Sequence, residues 1–259
     1  MMETPMNIAR PASSPEVREI AAVVLVAMPD EEAPFLERAT AVGEPVNVGL
    51  AVHRYIELEG RTVLLVRTGI GLVNAAGAAT SAILETAPAV GEVGSLVISA
   101  GTAGGVGEWV RVGDVVVGTD YINIDADARA FGYVLGQVPR MPASYSASIE
   151  AVEAFAKSGH AGDVSPSTVH FGLIASSYSF VTPERALSIR AALPGTLATD
   201  MESVAIAQTS YVHGREFVSV RAVSDLCGPV AHADFLTHVD DAAERSANAV
   251  AALLRHLPR

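Results

Sequence analysis

The run from Leu96 to Ala100 constrains this chain more than any other stretch. Leu96-Val97-Ile98-Ser99-Ala100 is short, largely apolar and bounded by glycine. That pattern suits a strand buried on both faces, which needs other layers of the fold packed against each side. Directly after it, Gly101-Thr102-Ala103-Gly104-Gly105 removes side chains where the strand is expected to stop. Such a loop either turns the chain tightly or lets a ligand approach main-chain N–H groups, and composition alone leaves both open. A second apolar run, Val112 to Gly118, carries Gly113-Asp114 near its start. It leads into a polar segment holding Phe131, Tyr133 and Pro139.

Composition narrows the setting. Half of the 259 residues are apolar and 18% are charged, enough for one sizeable core and against disorder. A net charge of −12 argues against a nucleic-acid partner and against anionic membranes. No apolar run free of charges and turns reaches the length of a membrane span. Residues 1–18, rich in Pro and Ser, are expected to be a flexible tail and not a signal peptide, with 19–259 forming a single α/β domain. The single cysteine, Cys227, excludes an internal disulfide and fits a reducing cytoplasm. The seven histidines show no metal-ligand spacing, so neither a metal nor another cofactor is expected.

In chain order, Val23 to Ala27 reads as a first strand, followed by a helix that opens on Pro29 and its acidic neighbours. Val52–Leu58 and Thr62–Thr68 flank Glu59-Gly60 and read as a hairpin. Gly69-Ile70-Gly71 opens a helix over 72–84. Its missing third glycine and the preceding hairpin argue against a dinucleotide fingerprint. Further helices are expected over 147–157 (capped by Ser144 or Ser146), from Pro183, after Glu202, and from Phe235 to His256. The last places Val239, Ala243, Ala247, Val250 and Leu254 on one face. Strands are expected over 168–176, 197–201 and 217–223. Alternation of strands and helices with one hairpin indicates an α/β fold around a mixed sheet.

Three carboxylates, Glu31, Glu202 and Asp225, sit where apolar strands stop. A helix cap is the ordinary explanation for any one of them, yet ligands of α/β proteins gather at that end of the strands. Four blocks carry a more specific signal. They are M-P-D-E at 28–31, S-A-G-T-A-G-G through V-G-D-V-V-V to D-A-D-A-R-A-F-G-Y-V-L-G-Q-V-P, A-T-D-M-E-S-V-A-I-A, and R-A-V-S-D-L. Together they resemble the methylthioadenosine/S-adenosylhomocysteine nucleosidases of the nucleoside phosphorylase superfamily.

The resemblance implies a three-layer sandwich with a mixed central β-sheet, and cleavage of an N-glycosidic bond. It implies Asp225 as general acid at the adenine, oriented by Ser224, and Glu31, assisted by Arg221, as the base for water. Glu202, with Met201, would hold the ribose. Met28, Thr102, Ala103 and Gly104 would bind the substrate, Thr102 near the sugar and water in a place where serine is common. Phe180 would stack on the base, Val181 would read it through main chain, and Phe235 would cover the 5′ group. Phe131, Tyr133 and Pro139 resemble residues that close a partner's pocket, which implies a homodimer.

Two departures from the pattern stand out. Ser177-Tyr178-Ser179 replaces S-G-D, which puts Tyr178 where an acid near the base is usual, and Ile124 replaces a histidine. Ser99 stands where related phosphorylases carry an arginine, which favours hydrolysis over phosphorolysis. The alternatives are a nucleosidase for another 5′-modified adenosine such as aminodeoxyfutalosine, a nucleoside phosphorylase, or a nucleoside-binding protein without turnover.

Overall fold

A computed structural model describes residues 19–88, 94–158 and 168–258. The tail expected over 1–18 lies outside the described residues.

The described residues begin with β1 (Ile20–Val26), α1 (Pro29–Arg38), β2 (Ala41–Val42), β3 (Val46–Val48), β4 (Ala51–Leu58), β5 (Arg61–Arg67) and α2 (Leu72–Glu85). β6 (Leu96–Gly105) and β7 (Val115–Asn123) follow, then a single 3₁₀ turn at Arg129–Phe131 and β8 (Tyr145–Ser146). α3 (Ile149–Lys157), β9 (Val169–Ser176), α4 (Pro183–Ala192), β10 (Thr196–Asp200), α5 (Ser203–Val212), β11 (Phe217–Asp225) and α6 (Ala231–His256) complete it.

The strands form one mixed sheet in the order β10-β9-β7-β11-β6-β1-β5-β4-β2. β6 runs parallel to β1 on one side and to β11 on the other, so its N-terminal half is the buried central strand that its apolar run requires. One apolar cluster packs α1, α3 and α6 on one face; a second packs α2 and α5 on the other. These are the three layers. β10 also pairs antiparallel with β6 at Thr199↔Gly104, so strands β6, β11, β7, β9 and β10 close on themselves beside the open part of the sheet.

Several expectations hold with adjusted boundaries. The Glu59-Gly60 hairpin is antiparallel in register Leu58↔Arg61. Both turn residues have positive φ (53° and 69°), as a tight two-residue turn that follows the sheet twist demands. Ala243, Ala247, Val250 and Leu254 are buried along α6, with Val239 partly covered.

Others are corrected. The glycine segment 101–105 is not a loop: β6 continues through it, because small residues let β11 and β10 both approach. β7 starts at Val115, after Asp114 has folded back to accept hydrogen bonds from the Arg111 and Thr168 N–H groups and His170. The cap of α3 is Ser148, whose Oγ accepts from the Ala151 N–H, whereas Ser146 belongs to β8. α6 begins four residues before Phe235. The short strands β2, β3 and β8 carry too few residues for an alternating pattern to register.

Candidate active site

The C-terminal ends of β1, β10 and β11, the second half of β6 and the start of α6 surround a cavity of about 240 Å³. Glu31, Glu202 and Asp225, far apart in sequence, all face it and are all buried.

Glu31 is the third residue of α1, where Pro29 fixes the first turn and the helix dipole favours an acid. Its Oε2 accepts from the N–H groups of Ala27 (2.7 Å) and Met28 (3.3 Å). Its Oε1 accepts from the N–H (2.7 Å) and Oγ1 (3.0 Å) of Thr102. The carboxylate can lie this close to β6 because residue 101 is glycine: a Cβ there would stand 2.3 Å from Oε1. Gly101 also has φ +137°, which L side chains rarely adopt.

Glu202 stands at the residue before α5 and accepts from the Gly71 N–H at 2.9 Å. Arg221 Nη1 lies 3.6 Å from its Oε2. Burial pushes this carboxyl up to about 7; Arg221 opposes that rise, and Asp200 and Glu31 add to it.

Asp225 ends β11. Its Oδ1 accepts from the Cys227 N–H (2.9 Å) and its Oδ2 from Ser224 Oγ (3.1 Å). Burial nevertheless raises its pKa, against the pull of those two donors. A carboxyl held in this way is suited to giving up a proton within the cavity.

Met28, Thr102, Ala103, Gly104, Phe180, Val181, Met201, Ser224 and Phe235 line the same cavity, so these nine expected residues are brought together. The Phe180 and Phe235 rings meet edge to face, centroids 6.4 Å apart, over one side. Arg221 stands behind the wall. Its ion pairs are with Asp200 (3.1 Å) and Glu202 (3.6 Å), and Glu31 also acts on it through its charge. Phe131, Tyr133 and Pro139 do not line the cavity of their own chain, and Phe131 is 82% exposed.

The departure at Tyr178 falls outside the cavity: its ring is half exposed and faces a groove between α2 and α5. Ile124 packs against the cluster of Val106, Val181 and Ile189, a packing change as expected.

Sequence reasoning missed Ala27, Ile70, Ser179, Thr199, Asp200 and His232 as lining residues. Asp200 had a readable signal, an acid two residues before Glu202 at the end of its strand, while Arg221 on a separate apolar strand needs an acidic partner. Cys227 is another cavity residue, its thiol pushed up to about 12 chiefly by burial, which leaves it a poor nucleophile. Among the described residues no cluster of His, Cys, Asp and Glu is arranged to hold a metal, and no helix is long and apolar enough to cross a membrane.

Residues 21–255 match the sequence profile of the Phosphorylase superfamily. This chain belongs to that superfamily. Within it, the chain is 39% identical over 201 residues to the 5′-methylthioadenosine/S-adenosylhomocysteine nucleosidase of Staphylococcus aureus, covering 77% of this chain and 84% of that one. It is 34% identical to the nucleosidase of the same name from Anoxybacillus flavithermus, over 91% and 98% of the two chains. The solved nucleosidase of Neisseria meningitidis, in complex with methylthio-immucillin-A, superposes with a TM-score of 0.84 at 36% identity, over 90% and 98%. That from Colwellia psychrerythraea, in complex with adenine, gives 0.86 at 30% identity, over 93% and 96%. The nucleosidase resemblance read from the motif blocks is therefore borne out.

Proposed function

We propose that this chain hydrolyses the N-glycosidic bond of 5′-methylthioadenosine and S-adenosylhomocysteine, releasing adenine and the corresponding thio-ribose. The observation that carries the proposal is the convergence of Glu31, Glu202 and Asp225 on one cavity, each with a different set of partners. The names and bound ligands of the relatives support the substrate class.

The chemistry follows from those differences. Cleavage through an oxocarbenium-like transition state needs an acid at the leaving base and a base for the attacking water. Asp225, whose proton affinity burial raises, gives its proton to adenine N7 as the C1′–N9 electron pair passes to the base. Glu31, held by four donors, takes a proton from water as the new C1′–O bond forms. Glu202 accepts hydrogen bonds from the ribose hydroxyls, and its negative charge favours the cationic sugar. Phe180 stacks on the adenine, whose edge the main chain of Val181 reads, and Phe235 covers the 5′ substituent.

Hydrolysis is favoured over phosphorolysis by charge. The cavity lining holds four carboxylates, Glu31, Asp200, Glu202 and Asp225, and no Lys or Arg among the described residues. Arg221, behind it, already serves two carboxylates and Ser99 Oγ. Arg67 pairs with Glu32, and Arg54 donates to the Gly43 carbonyl. None of these three arginines is among the residues lining the cavity, where a phosphate dianion would need them.

The proposal includes a homodimer in which Phe131, Tyr133 and Pro139 close the partner's 5′ pocket. The exposure of Phe131 and the absence of all three from the lining of their own cavity support it. A reducing cytoplasm suits the single buried thiol.

Incubating the protein with a panel of 5′-modified adenosines in phosphate-free buffer, and measuring adenine released, tests the reading. Fast release from the two thio-substrates is expected. Release from aminodeoxyfutalosine alone would reassign the substrate, and none at all would favour a binding protein.

A further inference from the structure

Arg221 is the largest fully buried side chain of the described residues, and each edge of its guanidinium is occupied. Nε donates to Ser219 Oγ at 3.4 Å and lies 3.1 Å from Asp200 Oδ2 in an ion pair. Nη2 donates to Ser99 Oγ at 2.6 Å. Nη1 donates to the Thr102 carbonyl at 3.4 Å and faces Glu202 Oε2 at 3.6 Å. Asp200 is gripped from its other side by Ser176 Oγ (2.5 Å), the N–H (3.2 Å) and Oγ of Ser203, and the Glu202 N–H (3.4 Å). Every neighbour here is a donor, so this carboxylate acts purely as an acceptor.

We infer that Asp200 is a positioning residue for the cleavage reaction: it anchors Arg221 by the Nε edge and so fixes the guanidinium between Glu202 and the Thr102 strand. The inference rests on the nucleosidase reading above and adds to it a residue that does not itself react.

The distances decide how one cation is divided between two carboxylates. Asp200 is the tighter ion-pair partner at 3.1 Å, whereas Glu202 stands 3.6 Å from the guanidinium. Glu202 keeps only the Gly71 N–H as a direct donor from α2. The other charged or titratable groups acting on this cluster are Glu31 on α1, Tyr121 on β7 and, across the cavity on β11, Asp225. Asp200 therefore keeps Arg221 close enough to orient Glu202 but not to neutralise it. The carboxylate stays available to the sugar, at the cost of ionising only near neutral pH.

Replacing Asp200 by Asn removes one negative charge beside Glu202 and frees Arg221 to close on it. Both changes favour ionised Glu202. The acid limb of kcat/KM is then expected to move to lower pH by about 1 unit or more, while kcat falls about 10- to 100-fold because the guanidinium is displaced. Asp200→Glu, which keeps the charge, is expected to leave the limb in place with a smaller loss in kcat. It also serves if Asp200→Asn does not fold. Ser176→Ala removes a bond on the fold-facing side and is expected to lower Tm without moving the limb.

The experiment is the pH–rate profile of adenine release from methylthioadenosine for the wild type and these three variants, with Tm recorded alongside. An unmoved limb in folded Asp200→Asn, or a limb shifted by Asp200→Glu or Ser176→Ala, overturns the inference and leaves Asp200 as a cap for α5. A wild-type chain that releases no adenine overturns the nucleosidase reading itself, and this inference with it.

Discussion

Gly101→Ala places one methyl group against the proposed water-activating carboxylate. Its Cβ would lie 2.3 Å from Glu31 Oε1, 2.5 Å from Cδ and 2.8 Å from Oε2. Ordinary non-bonded separations are about 3.5 Å, so the carboxyl must retreat by about 1 Å. That stretches its 2.7 Å bonds to the Thr102 and Ala27 N–H groups beyond hydrogen-bond range. Hydrogen bonds to a charged group contribute about 1.5–3 kcal/mol each. Holding alanine at φ +137° adds about 1–3 kcal/mol of strain. Partial relaxation leaves a net destabilisation of about 3–5 kcal/mol, a fall in Tm of about 6–9 °C for a chain of this size. The carboxylate's displacement should lower kcat about 100-fold. Thermal unfolding by circular dichroism and adenine release from methylthioadenosine measure the two effects. Gly77→Ala, at an open position inside α2, is the control and should stabilise slightly. A Gly101→Ala protein with activity within threefold of wild type and an unchanged Tm would refute the placement of Glu31 or its role.

Asp225→Asn should fold normally and lose about 10²–10⁴-fold in kcat, since an amide cannot supply the proton that adenine needs; a loss below tenfold points to another acid. Burial raises both Asp225 and Glu202, but their active forms are opposite. Activity should fall on the alkaline side as Asp225 loses its proton, and on the acid side as Glu202 gains one near about 7. Glu202→Gln should abolish that acid limb, and a limb that survives the change belongs to a different group. Tyr178→Ala should change kcat/KM for adenine substrates by less than about threefold, because surface substitutions outside a site have small effects. A tenfold loss would place Tyr178 at the base after all.

Much of the site was readable from the sequence because its residues sit at strand ends, where apolar runs stop abruptly. Glu31, Glu202 and Asp225 each follow such a run, and the surrounding motif blocks assigned them to one cavity before any geometry was known. The strand character of 101–105 was not readable, because glycine-rich composition signals a turn unless two other strands are known to flank it. The closure of β10 onto β6 is a long-range pairing with no local signature. The ion pairs of Arg221 with Asp200 and Glu202 were not readable from the sequence. Strand alternation gives the face on which a side chain lies, and the choice between Asp200 and Glu31 depends on a few ångströms of tertiary packing. Tyr178 was misplaced for a related reason: the backbone turns between Ser177 and Phe180, so neighbours in sequence face different sides of the wall.

The most direct test of glycosidic hydrolysis by this chain is the fate of the anomeric oxygen. Methylthioadenosine is turned over in ¹⁸O-labelled water, with and without phosphate, and the sugar product is analysed by mass spectrometry. The account expects adenine release at equal rates in both buffers and a free thio-ribose carrying one labelled oxygen at C1. Strict dependence on phosphate, with an unlabelled sugar 1-phosphate as product, would contradict it.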